Sequence, residues 1–263
     1  DVDFKQMRSG FYRAYGSFGI AILLGLFFSA VATLSLGLWK QHVWGKTTNA
    51  FFFLVLLGGV CASVSSAPLF AIVISLAVVA VFPLRRYWVA FVVCLIAASI
   101  FVEVYSNRHF YHVLTLFSFN STTAYYRIHL LEEAFGGGMA GHWLFGYGYV
   151  GIGPGNDNSN FFWKHQDLTN VYVAILARFG LIGLLPYLVM NVMYYRKLYV
   201  AAREQRNPAD LWLIWCVAAA LVGWNISMMT VAAFRQVATF QYILIAVCNN
   251  MPLIVRAAIP ANQ

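Results

Sequence analysis

Long apolar runs separated by short polar breaks dominate the chain, and their lengths predict its elements. A bilayer core of about 30 Å takes roughly 20 apolar residues in one helix. Runs of that kind fall at about 17–38, 88–105, 171–194, 211–229 and 237–255. A further stretch, Asn49 to Phe82, continues for 34 residues without a charge. It is too long for one span and short for two. Ser63, Ser65, Ser66 and Pro68 interrupt its middle, and proline disfavours helix at the residue before it. The pattern therefore predicts two short helices, about 50–64 and 68–82, meeting in a polar turn. The expected architecture is an all-α polytopic membrane protein with about seven transmembrane helices, one integral membrane domain over residues 1–263. A single large extracytoplasmic loop, about 106–168, precedes the fifth helix.

The polar functional groups concentrate in that loop. Its first part, SNRHFYHVLTLFSFNST, mixes aromatics with Arg108, His109 and His112, a composition suited to the membrane surface. TTAYYRIHLLEEAF follows as an amphipathic helix, with Thr122 or Thr123 at its cap and Ile128, Leu131 and Phe135 on one face. Arg127 stands beside His129, Glu132 and Glu133, which reads either as a solvated face with an Arg–Glu pair or as a functional group. A glycine-rich stretch, GGGMAGHWLFGYGYVGIGPGNDNSN, comes next. Its glycines permit tight turns, or let backbone N–H groups approach an anion. Asp167 or Thr169 is then a reasonable cap for the helix that carries Arg178, Gly180 and Gly183.

Composition removes the soluble classes. Of 263 residues, 61% are apolar and 10% charged, against roughly 45–50% and 25% in soluble domains. Seventeen Lys+Arg against nine Asp+Glu leave a net charge of +8, which in a soluble chain would suggest nucleic acid. In a membrane protein such an excess collects in cytoplasmic loops. If Arg85 and Arg86 are cytoplasmic and the sides alternate, that side holds nine basic residues (Lys40, Lys46, Arg85, Arg86, Arg196, Lys197, Arg203, Arg206 and Arg256) against Glu204 and Asp210, or +7. The other side is left near +1, so no nucleic-acid partner is expected. Cys61, Cys94, Cys216 and Cys248 lie in apolar runs without a CxxC pair and read as small core residues.

Several chemistries lack their residues. Gly146, Gly148 and Gly151 spell GxGxxG, but no strand precedes them and no βαβ unit surrounds them. His165 and Asp167 are too few for a metal site, with no HxxxH or DxD nearby. Ser63, Ser65 and Ser66 offer no GxSxG elbow. What accumulates on the outer face is arginine: Arg13, Arg127, Arg178 and Arg235, with Arg108 nearby. Guanidinium groups bind phosphate bidentately and keep their charge, which suits a lipid-linked diphosphate. Arg178, about two turns into its helix, either faces a cavity or snorkels to the outer interface.

The order of these features resembles the O-antigen ligase and polysaccharide polymerase superfamily over most of the chain. Arg13-Ala-Tyr-Gly-Ser-Phe-Gly19 is similar to the family's R-x-x-G-x-F-G. Ser65-Ser66-Ala67-Pro68 matches its Ser-rich turn, and Arg127 with Leu144-Phe-Gly-Tyr-Gly148 its arginine, helix and closing G-x-G. Asp167-Leu-Thr-Asn170, continuing to Gly180 and Gly183, resembles the H-N-x9-G-x-x-G segment in its D-x-T-N form. Thr169 stands where the family often has His, so that general base does not carry over. Members have about a dozen spans. Together with a start at Asp1 and no signal peptide, this makes the chain resemble the C-terminal part of a longer member.

The resemblance implies a metal-independent, inverting glycosyltransferase without cofactor in the bacterial inner membrane. Its donor would be a glycan on undecaprenyl diphosphate, and its acceptor another glycan or glycolipid. Arg13, Arg127, Arg178 and Arg235 would bind the diphosphate. Arg127, with Asp167 or His165 as base, would be catalytic. A transporter or flippase for a lipid-linked or other anionic solute, or a non-catalytic subunit, are the alternatives. A transporter would need polar pathway residues along its spans, and apart from Arg178 the spans are poor in charge.

Overall fold

The computed structural model describes residues 7–8, 10–106, 109, 112, 121–148, 168–231 and 235–257. Apart from a short antiparallel hairpin, β1 (Met7–Arg8) with β2 (Phe11–Tyr12), the regular elements among these are helical. The principal helices are α1 (Ala21–Leu38), α2 (Lys46–Ala62), α3 (Ser66–Ala80), α4 (Trp88–Tyr105), α5 (Ser121–Glu133), α6 (Val171–Glu204), α7 (Pro208–Ser227) and α8 (Arg235–Ala257).

Every apolar run expected to form a helix does so. Among the described residues, five helical segments are long and apolar enough to cross a membrane: Ala21–Gln41, Phe82–Tyr105, Val171–Glu204, Pro208–Ser227 and Ala238–Val255. The protein is thus all-α and of membrane-embedded type. The expected seven spans resolve into these five and two shorter apolar helices, α2 and α3. These have 17 and 15 residues, or about 25 and 22 Å at the α-helical rise, less than a bilayer core of about 30 Å. The serine turn between them ends α2 at Ala62 and starts α3 at Ser66.

α1 lies at the centre, with α2, α3 and α7 against it. One apolar cluster joins α1 (Leu23, Leu26, Ala30), α3 (Ala67, Ala71), α6 (Val171), α7 and its C-cap (Trp224, Met228) and α8 (Phe240, Leu244). A second joins α6, α7 and α8 through Leu198, Ile214, Leu221, Cys248 and Met251. Small residues let the helices approach, as membrane interfaces favour. A Cβ at Gly223 would overlap Ser75 Oγ, and that hydroxyl donates to Ala219 O across the α3–α7 contact at 3.1 Å. α4 stands apart, with none of its 18 residues buried.

The ends of α1 define two ends of the bundle. Past its C-terminus, Lys40 Nζ lies 4.3 Å from the Trp212 ring and Arg85 lies 4.5 Å from the Phe82 ring. Asp210 accepts from Gln41 at 2.9 Å and from Asn207 at 3.0 Å. Asn207 caps α7 through Ala209 N, with Pro208 at the first helical position. Near the N-terminus of α1, Gly25 packs against Pro68 and the hydroxyl of Ser63. Lys40 and Arg85, two of the basic residues assigned to one side by counting, therefore lie at one end, and the serine turn lies at the other.

Candidate functional site

The end opposite Lys40 and Arg85 carries two of the arginines singled out in the sequence, Arg127 and Arg13. It is built on the C-terminal turn of α7. Thr230 Oγ1 donates to Ser227 O at 2.9 Å, and Met228 O accepts Val171 N at 2.9 Å, which ties the start of α6 to the end of α7. Asn170 caps α6: its Oδ1 accepts from Tyr172 N at 3.0 Å and Val173 N at 3.2 Å. The cap is thus Asn170, one residue beyond Thr169. Thr169 Oγ1 is buried and meets no hydrogen-bond partner among the described residues.

α5 brings Arg127 to this turn. Ala124, Ile128, Leu130 and Ala134 are buried with it, the last two against Val173, Ala174 and Ala177 of α6. Arg127 is 6% exposed and donates from Nη2 to Thr230 O at 3.1 Å. The expected solvated Arg–Glu face is replaced by two sides of one helix. Arg127 turns inward, while the exposed His129 approaches Glu133 at 4.0 Å and His112 approaches Glu132 at 3.7 Å. Exposed pairs of this kind contribute little to stability. Phe135, expected on the apolar face, is instead 59% exposed, because a π-helical turn, Ala134–Gly138, unwinds the helix there.

Arg13 is the second cation at this end. It is half-buried and donates from Nε to Ser63 O at 3.1 Å, beside the Ala14 N to Ala62 O bond of 2.9 Å. Ser63, Ser65 and Ser66 are buried, so the polar turn is packed against the strap that carries Arg13. Arg235 opens α8, and its side chain lies outside the described residues, as do Asp167 and His165 altogether.

Arg178 sits just before a break. Gly180 has φ +64° and ψ −160°, a region populated essentially by glycine alone. The break removes two backbone hydrogen bonds that a continuous helix would make, Leu181 N to Ala177 O and Ile182 N to Arg178 O. All four groups are re-paired with the glycine-rich segment. Tyr147 N donates to Ala177 O at 2.7 Å and Gly148 N to Arg178 O at 2.9 Å; Leu181 N donates to Trp143 O at 2.7 Å and Ile182 N to Leu144 O at 3.3 Å. Gly146 fits because a Cβ there would meet Arg178 C at 2.6 Å. Of the two roles expected for these glycines, the structure shows tight turns and close backbone approach. The amides of Tyr147 and Gly148 are spent on α6 carbonyls, not offered to an anion. Arg178 is half-buried and shares a helix face with Val171 and Ile175, seven and three residues away.

The sequence therefore pointed to Arg127 and Arg13 at one end of the bundle, and the structure holds both there on carbonyls of separate turns. It did not single out Thr230, whose carbonyl holds Arg127, because no motif marks a backbone acceptor. Asn170 directly before an apolar helical run was a legible signal, overlooked beside Asp167 and Thr169. Comparison with protein-family models, with curated proteins and with solved structures finds no match to this chain.

Proposed function

We propose that the protein is a membrane glycosyltransferase that polymerises or ligates surface polysaccharide from an undecaprenyl-diphosphate-linked glycan on the outer face of a bacterial inner membrane. The observation that carries this reading is Arg127: a guanidinium 6% exposed, on a helix outside the apolar runs, held at Thr230 O where α6 and α7 meet. A permanent cation placed there at the cost of desolvation is suited to charge that develops on a bound group. Arg13 at the same end supplies a second.

The chemistry needs little else. The oxygen of an acceptor hydroxyl attacks the anomeric carbon, the bond from that carbon to the diphosphate oxygen breaks, and the electron pair leaves with the diphosphate. The acceptor proton goes to a base, for which Asp167 and His165 are the candidates. Arg127 and Arg13 bind the leaving diphosphate through planar, bidentate donors, with Arg178 and Arg235 in support. Inversion follows from a single displacement, and this reading requires neither metal nor cofactor.

The break in α6 is the one feature that favours a transport reading, since discontinuous helices mark many transporter sites. In those sites the unpaired backbone faces solute. Here Ala177 O, Arg178 O, Leu181 N and Ile182 N are each paired with residues 143–148, which supports transfer over transport. The test is a defined assay with purified protein, lipid-linked glycan and a foreign acceptor. Polymer growth or acceptor labelling by the wild type, lost in Arg127→Ala, is expected. Movement of intact lipid-linked glycan across vesicles without new glycosidic bonds would replace the proposal with the transport reading.

A further inference from the structure

At the opposite, basic end of the bundle, a cavity of about 330 Å³ opens between the start of α4, the last turns of α6 and the first half of α7. We propose that it is a binding site for an anionic phospholipid of the surrounding leaflet.

The lining has the amphipathic division such a ligand needs. Two exposed guanidinium groups, Arg85 and Arg203, line it, and among the described residues no acidic side chain does. Of the two acids at this end, Asp210 is buried and already engaged by Gln41 and Asn207, and Glu204, next to Arg203 in the chain, is exposed and outside the lining. Arg85 lies 4.5 Å from the Phe82 ring and Arg203 lies 5.8 Å from the Tyr199 ring, which holds both heads near the aromatic rim. Trp88 packs on Tyr199 at 5.6 Å, and Trp215 is fixed by its indole N–H donating to Val78 O at 2.7 Å. Tryptophans at this level match the headgroup zone. Below the rim the walls are apolar, with Leu198, Leu211, Ile214 and Ala218.

The position of α4 says why a lipid fits. None of its residues is buried, so α4 presents exposed apolar side chains such as Val89, Val92 and Ile96 beside the cavity. A phosphodiester accepted by the two guanidiniums would place its acyl chains against that apolar face. Charge selects the lipid. Phosphatidylglycerol brings an anion without a compensating cation, whereas phosphatidylcholine brings a quaternary ammonium against Arg85 and Arg203. Basic pockets between membrane helices recognise anionic headgroups in this way.

The inference is independent of the proposed transfer activity. Its test is native mass spectrometry of the full chain in detergent, with equal amounts of dioleoylphosphatidylglycerol and dioleoylphosphatidylcholine. Preferential retention of phosphatidylglycerol is expected. R85Q/R203Q should weaken that binding roughly 25-fold, from about fivefold for each basic group, and leave phosphatidylcholine unchanged. R86Q/R206Q removes the same charge from the same end outside the cavity, and should retain wild-type binding. Equal retention of the two lipids overturns the proposal, as does an unaltered R85Q/R203Q. Equal losses in the two double variants would also overturn it, because they would assign the preference to a diffuse field. If R85Q/R203Q does not remain monodisperse, R203Q alone is read for its fivefold effect.

Discussion

Gly180 lies directly against the carbonyl of Leu144: a Cβ added at Gly180 would overlap both the oxygen and the carbon of that group. The contact sets two backbones against each other, so no side-chain rotation can relieve it. Gly180→Ala therefore combines a disallowed backbone with a steric conflict and should lower stability by at least about 2 kcal/mol. Gly58 in α2 is the control, since a Cβ there meets nothing within 4 Å. Gly58→Ala should leave stability unchanged or raise it by up to about 1 kcal/mol. Thermal unfolding in detergent should lower the midpoint of Gly180→Ala and not that of Gly58→Ala; a wild-type midpoint for Gly180→Ala would remove the backbone lock.

On the proposed reading, Arg127→Ala should lower glycosyl transfer roughly 100-fold or more, the scale of removing one donor from a charge-stabilising site, while the protein still accumulates in membranes. Arg127→Lys keeps the charge but not the fork, so it should recover only a minor share of the activity. The measurement is product formation for each folded molecule. Wild-type turnover in Arg127→Ala would dismiss this arginine from the site.

The cap of α6 distinguishes two adjacent residues. Asn170→Ala should cost about 1 kcal/mol, whereas Asn170→Asp keeps the accepting oxygen and should stay near wild type. Thr169→Val should not destabilise, because the hydroxyl it removes meets no partner among the described residues. If Thr169→Val falls as far as Asn170→Ala in a thermal scan, the cap belongs to the threonine.

Asp210 is 3% exposed and accepts from Gln41 and Asn207. Asp210→Ala strips both donors of their acceptor and should cost about 1.5–3 kcal/mol. It lies at the basic end, so turnover per folded molecule should not change. A selective loss of turnover with normal stability would move functional chemistry to this end.

Sidedness follows from placing Tyr125 and Arg206 at opposite ends. With Cys61 and Cys94 replaced by alanine, Tyr125→Cys should react with an impermeant thiol reagent on intact spheroplasts. Arg206→Cys should react only after permeabilisation. The reverse pattern would invert the orientation drawn from the charge count.

Much of the fold was legible because burial in lipid demands long apolar runs, and each run became a helix. The pair α2 and α3 was visible through Ser63, Ser65, Ser66 and Pro68, which interrupt a charge-free stretch. Charge sorting found the basic end before any contact was known. The site was less legible. Arg127 sits between residues that favour a solvated helix, and its inward turn depends on Thr230, which is 103 positions away. The break in α6 was hidden as well, because Gly180 within an apolar run resembles an ordinary small-residue contact. Its partner backbone lies more than thirty residues earlier, and periodicity within one helix carries no record of it.

The exchange of two hydrogen bonds within α6 for four between α6 and residues 143–148 has an evolutionary consequence. Position is transmitted by main-chain atoms, which substitution does not alter. Leu144 and Phe145 leave much of their side chains exposed, Phe145 at 74%, so substitution there leaves the main-chain bonds in place. Gly146 and Gly180 cannot drift. Residues 143–148 can thus change their chemistry at the surface while keeping their register on the bundle.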